Sequence, residues 1–176
     1  ELERRAKGTA VEGDLERLFV GKVRNVIRCT NVSFQSTRTE SFYDLQLTIK
    51  GMRTLQESFD NYVKAEMLEG ENKYRAEGHG LQDARRFVEF EAFPPVLHLH
   101  LERYAFDPRV MGTVKINDRL EFPRRISLDR YLAPDSPQQG QPQEFILHAV
   151  FVHSGDSHGG HYYVYICDDP RKENPR

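Results

Sequence analysis

Cysteine is scarce in this chain: Cys29 and Cys167 are the only two among 176 residues. Two thiols make no disulfide framework and fit a reducing compartment. Charge of one sign is not in excess either. Lys and Arg number 25 against 27 Asp and Glu, and a formal net charge of -2 argues against a dedicated nucleic-acid surface. Long apolar runs are missing; no stretch approaches the roughly 18 residues needed to cross a bilayer. No charged-then-apolar leader is seen, so neither a membrane nor a secretory route is expected. Asn31-Val32-Ser33 fits the glycosylation sequon, but without such a leader it reads as chance. A first methionine is lacking too: the chain opens on Glu1, as a fragment would.

What is present suits one domain with a real core, since 38% of residues are hydrophobic and 30% charged. The most informative stretch is Phe151–Ile166, Phe-Val-His-Ser-Gly-Asp-Ser-His-Gly-Gly-His-Tyr-Tyr-Val-Tyr-Ile. Two β-branched and aromatic runs flank a glycine-rich turn holding His153, His158, His161 and Asp156. This predicts a strand–loop–strand edge presenting an imidazole at the rim of a cleft. His161 follows Gly159-Gly160 directly, and imidazole is the side chain best suited to a general base at neutral pH.

Along the rest of the chain, Glu1–Asp14 reads as the end of a helix and a loop. From Leu18 onward Val23, Ile27, Val32, Phe34, Tyr43, Leu45, Leu47 and Ile49 predict short strands, broken at Thr30-Asn31 and at Ser36–Glu40. Leu55, Phe59, Tyr62 and Val63 recur at helical spacing behind Thr54, an N-cap with Glu57 three residues on. Asn72–Gly80 reads as a loop. Phe87–Phe93 and Val96–Phe106 alternate as half-buried strands, separated by Pro94-Pro95, and Asp107–Thr113 is a turn. Short pieces follow at Leu120–Pro123 and Ile126–Leu128, then a Pro/Gln/Gly-rich surface loop over Ala133–Gln143. Strands dominate and helix is scarce, so the expected class is α+β with a mostly antiparallel sheet.

Three ordered blocks carry a family resemblance: Phe93-Pro-Pro-Val-Leu-His-Leu-His-Leu-Glu-Arg-Tyr-Ala-Phe-Asp107, Lys115-Ile-Asn-Asp-Arg-Leu-Glu-Phe-Pro123, and the histidine box from His153 to Tyr165. Weaker likeness lies at Lys7-Gly-Thr, Val11-Glu-Gly, Tyr43-Asp-Leu-Gln-Leu, Glu57-Ser-Phe and Gly70-Glu-Asn-Lys-Tyr74, so it runs from about Glu3 to Ile166. Together they resemble the C-terminal fingers and palm part of the ubiquitin-specific protease catalytic domain, of the herpesvirus-associated type. The resemblance implies a papain-like fold with fingers over about 18–93, palm over about 94–169, and the thumb missing from this chain. It implies a thiol-dependent deubiquitinase that hydrolyses the isopeptide bond after ubiquitin's C-terminal glycine. Its partners would be ubiquitin and ubiquitinated proteins, with no nucleic acid, membrane or cofactor, in nucleus and cytoplasm.

On that likeness His161 is the general base. His158, Tyr162, Tyr104, Phe106, Gly159 and Gly160 border the ubiquitin tail, the two glycines leaving a narrow channel for its Gly-Gly end. The family's Gly-x-Thr-Cys-Tyr nucleophile motif does not occur here. Cys167 is no substitute, because six extended residues put it about 20 Å from His161. Asp168-Asp169 follows the histidine too closely to be the family's third catalytic group and reads as a turn. This polypeptide alone is therefore expected to hydrolyse nothing, and its uncovered palm to expose apolar surface. Many relatives clamp zinc at the fingertips. The matching positions are Cys29, Val32, Ala76 and His79, of which two cannot ligate, so no metal is expected.

Plainer roles stand beside these. His98 and His100 read as structural or interface histidines, and Arg103 as a palm salt-bridge partner. His153 is either a relay to His161 or a strand-end residue bonded to backbone. Asp156 anchors its loop in an Asx turn. Glu66–Glu71 is a solvated face that would complement a basic partner. The alternative function is a non-catalytic ubiquitin-binding module from a truncated or degenerate copy; a histidine-dependent metal hydrolase is a weaker third.

Overall fold

The computed structural model describes residues 1–168, so Asp169 of the Asp168-Asp169 pair lies outside the described residues. Two short helices, α1 (Leu2–Ala6) and α2 (Asp14–Phe19), lead into the long strands β1 (Gly21–Cys29) and β2 (Gln35–Phe42). Then come β3 (Asp44–Thr48), α3 (Leu55–Tyr62), β4 (Glu66–Leu68), β5 (Tyr74–Ala76), β6 (Gly80–Gln82) and β7 (Ala84–Ala92). The C-terminal half holds β8 (His98–Glu102), β9 (Tyr104–Asp107), β10 (Gly112–Lys115), β11 (Arg125–Ser127), β12 (Glu144–Ile146), β13 (Ala149–Gly155) and β14 (Gly160–Ile166). The chain is mostly strand with few helices, an α+β domain.

The order β2-β1-β7-β4 makes the one four-stranded sheet among the described residues; the other strands pair in twos. Pairing between named strands is antiparallel except for β3 and β8, where Leu45 and Leu47 lie beside Leu99 and Leu101 in parallel register. Both strands alternate, and their leucines turn toward the core.

Phe90 is the hub of that core. It is fully buried, stacks on Phe93 at 4.4 Å and on Tyr62 at 5.8 Å, and meets Phe42 edge-on at 6.1 Å and Phe59 at 6.4 Å. Phe42 reaches it by crossing Gly21, its partner in the β1–β2 register; a Cβ at residue 21 would lie 2.2 Å from the Phe42 ring. The helix α3 starts as its sequence predicts. Thr54 Oγ1 accepts from the Glu57 backbone N–H at 3.2 Å, and Glu57 Oε2 accepts from the Arg53 N–H at 2.7 Å. The Glu therefore reaches one residue further back than a standard capping box, closing the first turn and delivering Leu55 and Phe59 to the core.

Four sequence expectations are corrected. Ser36–Glu40 is no break but the middle of β2, each residue paired with β1 from Val23 to Ile27. As the outer strand of the sheet, β2 takes its order from ladder hydrogen bonds and needs no apolar alternation. Asn72–Gly80 is not all loop, because Tyr74–Ala76 pairs with Gly80–Gln82 around Gly78, at φ 74°. Asp14–Phe19 is a helix after Gly13, whose φ of 81° starts the turn, with an Arg17–Asp14 ion pair at 3.0 Å. Finally, Ala133–Gln143 is pinned and partly buried. Ala133 N–H donates to Phe90 O at 2.7 Å, Ser136 Oγ to Glu91 O at 2.7 Å, and the Gln138 amide pairs with Phe93 N and O at 2.8 and 2.9 Å. Side-chain amides and hydroxyls there satisfy backbone groups at the end of β7 that no strand covers.

At the far end of the sheet Cys29, Ala76 and Ala84 are buried together, with Val32, Phe34, Leu68 and Tyr74 packed around them. His79 meets the Phe34 ring edge-on at 5.9 Å. Cys29, Val32, Ala76 and His79 thus share one small apolar cluster. Val32 and Ala76 bring methyl groups where a metal would need donors, and among the described residues no three His, Cys, Asp or Glu gather to hold an ion. No described helix is long and apolar enough to cross a membrane.

Candidate active site

The histidine box folds as the expected hairpin. Strands β13 and β14 pair from Ala149↔Ile166 to Gly155↔Gly160, and residues 156–159 close the turn. Asp156 sets that turn: its carboxylate accepts the backbone N–H of His158 at 2.8 Å and of Gly159 at 3.3 Å, while its own N–H donates to Gly159 O at 3.0 Å. This is the Asx turn anticipated from sequence. The His158 N–H bond in particular holds the Asp156 carboxyl below its ordinary value, against a desolvation that pushes the other way.

Side chains alternate across a strand, so the register decides which residues share a face. His161 lies opposite Ser154, and Tyr162 opposite His153. His153 and His161 therefore point to opposite faces, and a direct proton relay between them is ruled out. The plainer reading, a strand-end histidine bonded to backbone, does not describe the His153 ring either. Its Nδ1 lies 2.8 Å from the Tyr104 hydroxyl and 3.2 Å from Lys115 Nζ, and its ring sits 4.7 Å from that of Tyr162. His161 itself is exposed, and no hydrogen bond to its ring is formed among the described residues. An accessible, uncommitted imidazole on a fixed turn can exchange protons with a reacting group.

The two glycines before it differ. A Cβ on Gly160 would come within 2.2 Å of Ser154 O and 2.5 Å of His153 Nε2, whereas one on Gly159 would meet nothing within 4 Å. Gly160 is thus required by the close approach of β13 and the His153 ring. Among the described residues no close contact requires Gly159.

Tyr104 and Phe106 stand on one side of β9, both exposed, and Tyr104 reaches the hairpin. Its hydroxyl also lies 3.2 Å from Asp156 O. Desolvation, helped by Tyr162 and Asp156, raises its pKa, so it stays a neutral hydrogen-bonding phenol at physiological pH. Across the β9–β10 pairing, Lys115 is its register partner and sends its ammonium to the same place, with Nζ 2.8 Å from both His153 O and Gly155 O. In the sequence Lys115 stands out only as the first residue of the Lys115–Pro123 block. No local pattern marks it, because the carbonyls it bonds lie 38 and 40 residues further along the chain.

Other expectations fall out more simply. Among the described residues Arg103 pairs with no carboxylate; Nη1 donates to Ile116 O at 3.2 Å and Asp118 O at 2.8 Å, fixing the start of the Lys115–Pro123 block. His98 is structural, stacked on Phe19 at 5.2 Å. Cys29 is buried in the apolar cluster, and Cys167 lies beyond the far end of β14, its N–H donating to His148 O at 2.7 Å. Neither thiol sits at the turn end of the hairpin. Both faces of that hairpin carry uncovered aromatics: Phe151 is 79% exposed, Tyr162 75% and Tyr165 66%.

Comparison with known proteins places this arrangement in context. The profile described as ubiquitin carboxyl-terminal hydrolase matches residues 1–174. The chain is 54% identical over 170 residues to ubiquitin C-terminal hydrolase 12 of Arabidopsis thaliana, covering 94% of this chain and 15% of that protein. It is 52% identical over 166 residues to ubiquitin carboxyl-terminal hydrolase 7 of Drosophila melanogaster, covering 94% of this chain and 14% of the relative. Against ubiquitin carboxyl-terminal hydrolase 15 of Saccharomyces cerevisiae the identity is 47% over 173 residues, covering 94% and 14% respectively. The chain thus spans about one seventh of the length of these relatives.

Proposed function

The chain belongs to the ubiquitin carboxyl-terminal hydrolase family, and from that premise we propose that it is the histidine-bearing part of a thiol-dependent deubiquitinase. Within a papain-like fold, β1, β2, β4 and β7 serve as fingers and the C-terminal strands as palm, in the manner of the herpesvirus-associated type. The observation that carries the reading is His161: an exposed imidazole, free of protein hydrogen bonds among the described residues, on a turn stiffened from both sides.

The nucleophile is a cysteine supplied from elsewhere in the protein, since Cys29 and Cys167 lie away from the turn. His161 takes the proton of that thiol, and the thiolate attacks the carbonyl carbon after ubiquitin's last glycine. As the tetrahedral intermediate collapses, the same proton passes from His161 to the leaving lysine amine, and a thioester remains. His161 then draws a proton from water, which attacks the thioester, and the thiol is restored as ubiquitin leaves with a free carboxylate. Tyr104, Phe106, His158, Tyr162 and the two glycines border the tail, and ubiquitin and ubiquitinated proteins are the partners. Nucleus and cytoplasm are the proposed location.

The test is His161→Ala in the full-length protein, assayed with a ubiquitin C-terminal fluorogenic amide. Loss of the base removes at least the ~10²–10⁴-fold owed to proton transfer, and more if the thiol is no longer ionised. Ubiquitin binding should persist. Turnover at the wild-type rate would refute the assignment; wild-type protein that binds ubiquitin without cleaving it would instead fit a non-catalytic binding module.

A further inference from the structure

We propose that Lys115 is a positioning residue for His161: it grips the strand facing that histidine by the carbonyls on either side of the facing residue. The inference rests on the functional reading of His161 given above. Ser154 is the register partner of His161, and Lys115 Nζ lies 2.8 Å from the carbonyl oxygens of both its neighbours, His153 and Gly155. A third contact, at 3.2 Å, goes to His153 Nδ1. An ammonium has three N–H donors and accepts nothing, and the two carbonyls take two of them. The other ring nitrogen of His153, Nε2, faces Gly160.

The physical need for such a grip is plain. A two-stranded hairpin is marginal by itself, and β13–β14 pairs with no other described strand while its aromatics are uncovered on both faces. The Gly155 carbonyl stands where the ladder ends, at a φ of 135° that only glycine takes easily. Lys115 supplies its donor from β10, which pairs with β9, and Tyr104 adds a second hold from the directly opposite position. The His153 ring then lies over Gly160, the residue before His161. The path from Lys115 to His161 thus consists of one side chain, two carbonyls and one strand pairing. Lys115 touches neither nucleophile nor substrate; it acts through the place and stiffness of the strand.

The experiment uses the full-length protein and compares wild type, Lys115→Met, Lys115→Arg and His161→Ala on a ubiquitin C-terminal fluorogenic amide, with hydrogen exchange read along the chain. Methionine keeps the length and apolar stem of the side chain but removes every donor. A loosened general base misplaced by about 1 Å costs on the order of 100-fold in kcat. Lys115→Met should therefore lower kcat by about that factor with KM within about threefold, the signature of a contact that acts only on the chemical step. Exchange should speed up in residues 149–166 while β1 and β7 keep their protection. Lys115→Arg, which keeps donors, should recover most of the rate. Wild-type kcat in Lys115→Met, or a loss that Lys115→Arg does not recover, overturns the proposal. So does a loss of protection in β1 and β7 as well, which would make Lys115 a residue of general stability. Cleavage surviving in His161→Ala would instead overturn the functional reading, so the two failures are separable.

Discussion

Replacing Gly160 by Ala puts one methyl group where the hairpin has no room, and its neighbour Gly159 supplies the control. The new Cβ would lie 2.2 Å from Ser154 O, 2.5 Å from His153 Nε2 and 3.0 Å from Gly155 Cα, while ordinary contacts begin near 3.4 Å. Two of these three atoms are backbone and cannot rotate away, so the strands must part by roughly 1 Å, within the range where overpacking costs about 1–3 kcal/mol. The parting falls at Ser154 and Gly155, opposite His161 and Gly160. A displacement of that size at a proton-transfer group lowers kcat by about 100-fold. At Gly159 an added methyl meets nothing within 4 Å, so folding and kcat should match wild type.

The assay is steady-state cleavage of a ubiquitin C-terminal fluorogenic amide by each full-length variant, with a thermal melt alongside. The glycine pair has a second explanation, a narrow channel for ubiquitin's own Gly-Gly end, and KM separates the two. If the tail crosses Gly159, Gly159→Ala raises KM at unchanged kcat, because uniform binding is lost. If only the local packing matters, Gly159→Ala changes neither constant. Gly160→Ala with wild-type kcat would refute the steric argument outright.

Further predictions concern the core and the turn. Phe90→Ala removes the ring shared by Phe93, Tyr62, Phe42 and Phe59, and should destabilise the domain by about 3–5 kcal/mol in a urea unfolding experiment; a change under about 1 kcal/mol would contradict its place as hub. For Asp156 the folded pKa lies below the ordinary 3.8, chiefly through the His158 N–H bond, so its stabilisation of the turn is complete above 3.8 and lost as pH falls through the lower folded value. Exchange protection of the His158 and Gly159 amides should be flat across neutral pH and fall only under acid conditions. A midpoint above the ordinary carboxylate value would reverse the sign of the argument.

Local chemistry was legible wherever one residue decided it. Thr54 with Glu57 announced the start of α3, Pro94-Pro95 ended β7, and Asp156 made its turn. The histidine box declared its hairpin through two apolar runs around glycines. What could not be read were contacts made across the chain. β2 looked like a break because its order comes from ladder bonds to β1, which leave no mark on side-chain pattern. The Gln138 amide looked like loop filler, yet it closes both backbone groups of Phe93 from 45 residues away. His153 and His161 are near in sequence, which suggests a relay, but the register sets them on opposite faces. Lys115 went unread for the same reason: its partners lie 38 and 40 residues on.

The site and the core are therefore held by different forces, and this separates their failures. Phe90 and its aromatic neighbours stabilise by burial, which scales with apolar area and is indifferent to sub-ångström placement at a distant turn. Among the described residues the β13–β14 hairpin buries little of Phe151, Tyr162 or Tyr165, so area within this chain contributes little to its shape. Its geometry comes instead from directed bonds at one end: Lys115 and Tyr104 on β13 and the turn, and Asp156 across the turn. Directed bonds fix position far more than they add net stability, each contributing only about 0.5–1.5 kcal/mol. It follows that core substitutions should lower the melting temperature and leave kcat of the surviving folded protein near wild type. Substitutions at the clasp should do the reverse. A panel in which kcat and melting temperature fell together at both places would mean that hairpin and core form one cooperative unit, and that the placement of His161 is set by packing after all.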